Sequence, residues 1–71
     1  MITPYKQAFI LTMETGAVAL AVVMGEDVPH GKGLAQSEAQ ECLNGQVWDM
    51  CAFPVTDDLE EGITILREPR P

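Results

Sequence analysis

Gly25, Gly31, Lys32 and Gly33 follow a strongly apolar run, and together they could hold a phosphate. A phosphate loop needs backbone N–H groups to cradle the oxygens and a lysine to reach them, in the spacing G-x-x-x-x-G-K-[ST]. Here five residues separate Gly25 from Gly31, and Gly33 rather than a hydroxyl residue follows Lys32. A Mg²⁺ ion would lack its side-chain ligand. Glu26 and Asp27 add two carboxylates, which oppose a phosphate. Nucleotide binding is therefore not expected. Residues 25–33 read as a flexible loop in which His30 and Lys32 contact a partner.

The other reactive side chains give little more. An imidazole at His30 could move protons near neutral pH, but there is no second imidazole, and no spacing pairs His30 with a nucleophile. Cys42 and Cys51 have eight residues between them, with no C-x-x-C or H-x-x-x-H pair to build a zinc site. They are expected to be reduced and half-buried. Met50, Ala52 and Phe53 around Cys51 suggest an inert, buried thiol. Asp57, Asp58, Glu60 and Glu61 offer oxygen ligands for Ca²⁺ but lack the EF-hand spacing and its central glycine. They read as a solvated acidic turn and as a patch that faces a partner. Trp48 reads as core, or, if exposed, as the anchor of an interface. No catalytic, cofactor-binding or metal-binding residue is expected, so the chain is not expected to be an enzyme.

The elements that position these residues follow from periodicity. Residues 7–24 read as a β-hairpin. Phe9, Leu11 and Met13 alternate with Ile10, Thr12 and Glu14. Glu14-Thr15-Gly16 then suits a three-residue loop whose glycine takes positive φ. A competing helix, with Thr3 as N-cap, Pro4 in the first turn and Gly16 at the end, conflicts with the β-branched and aromatic content. A helix is expected over 34–44. Ser37 and Gln40 form a capping box, Ala39, Cys42 and Leu43 an apolar stripe, and Asn44-Gly45 the stop, with glycine in the left-handed position. Strands follow at 47–53, ended by Pro54, and at 62–67. The fold class is α+β: a small antiparallel sheet of four strands with one helix on one face. Residues 1–68 form a single domain, and 69–71 an extended polar tail with no means of packing.

Both faces of the second hairpin arm are apolar. Val18, Leu20, Val22 and Met24 point one way, and Ala17, Ala19, Ala21 and Val23 the other. The alanine face is flat and suits close approach of a helix. The bulkier face is expected to be joined by Phe9, Leu11 and Met13. A one-sided sheet should alternate apolar with polar, and one helix covers one face. The expectation is that a partner, or a second copy in a homodimer, covers the Val18, Leu20, Val22 and Met24 face.

Charge narrows the partner. Eleven acids against four bases give a net charge of −7 across 71 residues. Residues 33–66 hold seven acids and no base. Such a surface disfavours direct nucleic-acid binding and favours a protein with a basic surface. The apolar stretch 8–24 is shorter than the ~20 residues a membrane span needs, and it carries Glu14 near its centre. No signal segment is evident. A cytoplasmic protein without membrane contact is expected. The functional expectation is a small acidic protein-binding or regulatory module. One form would be an inhibitor of a basic nucleic-acid-handling protein, an analogy of size and charge with phage anti-restriction and anti-CRISPR proteins. A small virion or oligomer component is the alternative, followed by an enzyme subunit with its site at a dimer interface.

Overall fold

A computed structural model describes residues 2–70. Four strands and one helix run in the order β1 (Tyr5–Met13), β2 (Val18–Gly25), α1 (Val28–Leu43), β3 (Val47–Phe53) and β4 (Gly62–Arg67). The sheet order is β3-β1-β2-β4, and every pairing is antiparallel. This is the α+β architecture that the alternation predicts.

The β1–β2 hairpin closes through Glu14, Thr15 and Gly16. The Met13 N–H donates to the Ala17 carbonyl at 2.8 Å, and the Gly16 N–H to the Met13 carbonyl at 3.0 Å. Gly16 sits at φ 91°, where a Cβ would be strained. The polypeptide after β4 returns to this turn. The Arg70 N–H donates to the Thr15 carbonyl at 2.9 Å, so the tail is held through Arg70 rather than free. Pro71 lies outside the described residues.

Register decides which side chains share a face. Phe9 pairs with Ala21 and Leu11 with Ala19, and side chains directly opposite one another point the same way. Phe9, Leu11 and Met13 therefore join the alanine face, not the Val18–Met24 face that bulk suggested. α1 lies on this face, mainly over β2 and β1. The core is Phe9, Leu11, Met13, Ala17, Ala21 and Val23 from the hairpin, closed by Ala35 and Ala39 of the helix. Both layers contribute alanines to this core, together with the larger side chains of the hairpin. The helix buries Gly31, Ala35 and Ala39, one residue per turn, with Leu34 and Leu43 packed beside them. Cys42 does not belong to the buried stripe; it is exposed.

The helix starts six residues before the expected position, and the loop expected over 25–33 ends at Asp27. Asp27 is the N-cap, its carboxylate accepting from the His30 N–H at 2.8 Å, and Pro29 sits in the first turn. Both are helix-start devices. Gly31 and Gly33 are helical. At Gly31 the missing side chain lets the first turn lie against the buried Gln7, whose Nε2 donates to the Asp27 carbonyl at 2.9 Å. The Ser37/Gln40 capping box does not form, because those residues are mid-helix. Instead the Gln40 Oε1 accepts from the Val47 N–H at 3.4 Å, tying the helix to the start of β3. Asn44 rather than Gly45 takes the left-handed C-cap position, at φ 50° and ψ 52°. Asn tolerates that conformation through its short polar side chain. Asp27→Ala is expected to cost about 1 kcal/mol, read as a lower urea midpoint with an unchanged slope. An unchanged midpoint would mean that the cap does not hold the helix start.

Candidate partner-binding surface

β3 and β4 lie on opposite edges of the sheet, so residues 54–61 must cross the two central strands. Phe53 pairs with Ala8, Ala8 with Val22, and Val22 with Gly62. The crossover therefore spans the Ala8–Val22 pair. Lys6 shares a face with Ala8, and its Nζ donates to the Leu59 carbonyl at 2.6 Å. That contact places the crossover on the face away from the helix. Ala8 and Val22 are buried there, although no helix covers them.

This arrangement sorts the expected oligomer face. Val22 is covered by the chain itself, Val18 and Leu20 are half-buried, and Met24 is exposed. The chain thus shields part of the face that had seemed to need company.

The crossover presents acid to solvent. Asp57, Asp58, Glu60 and Glu61 are all exposed, and Leu59 between them is half-buried. A turn closes where the Leu59 N–H donates to the Thr56 carbonyl at 3.2 Å. The Thr56 hydroxyl donates to the Asp58 carboxylate. That bond, with a backbone hydrogen bond at Asp58 and a smaller contribution from the Lys6 ammonium, holds the Asp58 carboxyl below the usual carboxylate range. Asp58 is therefore ionised at neutral pH.

Three of the four bases make contacts within the chain. Lys6 is tied to Leu59. The Arg67 Nε donates to the Gly16 carbonyl at 3.1 Å, and the Arg70 side chain packs beside Gly16. Arg67 and Arg70 thus gather at the hairpin turn, while the acids of the crossover project at the other end of the sheet. Glu14 and Glu68 stand beside those arginines, whereas the four crossover carboxylates stand together at the other end.

The other singled-out residues are dispersed. His30 is exposed at the helix start, where its Nδ1 accepts from the Glu26 N–H at 3.0 Å, and Lys32 is exposed two residues on. His30 therefore completes the helix cap rather than facing a reacting group. Trp48 is 75 % exposed, which removes the core reading. Thr12 pairs with Asp49 and Met13 with Val47, so Trp48 is the extra residue of a β-bulge on an edge strand. Cys51 is exposed too, opposite Ile10 on the face away from the helix, so it is not the buried thiol that its apolar neighbours suggest. Both cysteines are free. Among the described residues, no three His, Cys, Asp or Glu side chains are grouped to hold a metal ion. Nor is any helix long and apolar enough to cross a membrane.

A feature that sequence reading missed lies at the acidic end of the sheet. Tyr5, Val28, Phe53 and Val55 converge there around a notch of about 200 Å³. They come from β1, the first position of α1, the end of β3 and the crossover. No periodicity links them, so only the fold brings them together. Comparison of the chain with protein-family models, curated proteins and solved structures gives no match.

Proposed function

We propose that this protein is a small acidic binding module that docks onto a basic surface of another protein. The observation that carries the reading is the exposed acidic crossover, Asp57, Asp58, Glu60 and Glu61, at one end of the sheet, with the arginines held at the other. Regulation or inhibition of a nucleic-acid-handling protein fits this reading, because such proteins carry the basic surfaces that a chain of net charge −7 would seek. The test is capture from cell extract at rising salt by the wild-type chain and by a variant with Asp57→Asn, Asp58→Asn, Glu60→Gln and Glu61→Gln. The wild type is expected to retain basic proteins that salt releases, and the variant to lose them. Equal retention by both chains contradicts the reading.

A second reading, self-association, is favoured by the outer edge of β4. Gly62–Leu66 holds no charge, and Ile65 and Leu66 are 45 % and 54 % exposed. Natural edge strands usually blunt themselves with charge or proline. Light scattering at micromolar concentration distinguishes the outcomes. A dimer is expected to have twice the 7.7 kDa chain mass, and a single-chain mass at every concentration rejects the second reading.

A further inference from the structure

The apolar notch at the acidic end carries a more specific assignment, and it rests on the reading of an acidic binding module. We propose that the notch receives one large apolar side chain of a partner segment, and that lysine or arginine residues flank that side chain. Scattered exposed apolar residues are ordinary. Here four of them, Tyr5, Val28, Phe53 and Val55, each 40–49 % exposed, converge on one concavity. Its volume of about 200 Å³ is below the range of roughly 300–1,000 Å³ typical of small-molecule sites. That size suits a single anchoring side chain, the element around which protein interfaces concentrate their binding energy.

Charge complementarity selects the flanks of the anchor. Glu26 and Asp27 directly precede Val28, and Asp57 and Asp58 follow Val55 by two and three residues; all four are exposed. Lys6 also lines the notch, with its ammonium bonded to the Leu59 carbonyl. Exposed carboxylates therefore adjoin the apolar walls in sequence at Val28 and Val55, and they outnumber the one lysine of the lining. An anionic segment would be repelled, and a purely polar cationic one would leave the apolar walls wet.

The test is amide chemical-shift titration of the ¹⁵N-labelled full chain with three capped pentapeptides: Lys-Lys-Trp-Lys-Lys, Lys-Lys-Gly-Lys-Lys and Glu-Glu-Trp-Glu-Glu. The tryptophan-containing cationic peptide is expected to shift Tyr5, Val28, Phe53 and Val55 together. Its half-saturation should come at least about fivefold earlier than that of the glycine peptide, a gain of the size an anchored side chain supplies. Val55→Ser, an exposed loop substitution, should weaken that peptide at least about threefold while the rest of the spectrum stays in place. Equal half-saturation by the two cationic peptides, with shifts confined to 56–61, overturns the notch and leaves the acidic module standing. Equal binding of the anionic peptide overturns both.

Discussion

Leu11→Ala is expected to destabilise the protein by about 3–5 kcal/mol, within the range for burying-site leucines cut to alanine. Leu11 is fully buried on a central strand, on the face that meets the helix. Its cross-strand neighbours are Ala19 and Met50, and the helix above presents Ala35 and Ala39. Alanines cannot extend into the void and Met50 alone can fill part of it, so a cavity persists and the cost stays within that range. Stability of roughly 0.05–0.15 kcal/mol per residue gives a domain of 71 residues little reserve against such a loss. Urea unfolding followed by circular dichroism should show a large fall in midpoint with the slope retained. Leu66→Ala, at a 54 % exposed position, should change stability by less than about 0.5 kcal/mol. A Leu11→Ala cost below about 1 kcal/mol would contradict the placement of the core.

Gly25→Ala is the second large effect, expected at about 2–3 kcal/mol, the upper part of the range for overpacking. A Cβ at Gly25 would lie 2.6 Å from Gln7 Nε2, 2.8 Å from Gly31 Cα and 2.9 Å from Gly31 N. Backbone cannot swing aside as a flexible side-chain tip can, and Gln7 is pinned by its bond to the Asp27 carbonyl. The end of β2 would have to part from the first turn of α1. Gly33 provides the contrast. It is helical and exposed, and a Cβ there meets nothing within 4 Å. Gly33→Ala should stabilise by up to about 1 kcal/mol through helix propensity alone. In thermal melts the two variants should move in opposite directions, Gly25→Ala down by about 10 °C or more and Gly33→Ala up by several degrees. Shifts of the same sign would contradict the close approach of β2 to the helix start.

Those glycines also explain where sequence reading stopped short. The hairpin, β3 and β4 were legible because alternation, Gly16 and Pro54 act locally. The start of α1 was obscured because Gly31 and Gly33 weigh against a helix on propensity. Packing overrides that preference at Gly31, where a Cβ would displace the bonded Gln7 side chain. Asp27 and Pro29 were the readable signals, and both mark the helix start that the structure shows. The faces of the hairpin were harder to assign. Alternation groups residues within a strand, but register between strands decides that Phe9 faces with Ala21. The burial of Ala8 and Val22 depends on a crossover whose path no local pattern encodes. Trp48 and Cys51 read as core because their segment is apolar, yet they lie on an edge strand, where side chains have neighbours on one flank only. The acidic half of the candidate surface was visible in the sequence as a charge run. The apolar notch beside it was not, because its walls come from four separate segments.

The central claim is that the acidic crossover recognises a basic protein surface, and titration calorimetry tests it most directly. The most strongly retained protein from the capture experiment, once purified, is titrated with the wild-type chain and with the four-site neutral variant at low and high salt. Exposed charge pairs contribute about 0.2–1 kcal/mol each. Removing four carboxylates should therefore weaken affinity about fourfold or more, and added salt should weaken the wild type far more than the variant. Identical affinities for the two chains, unmoved by salt, would contradict the claim.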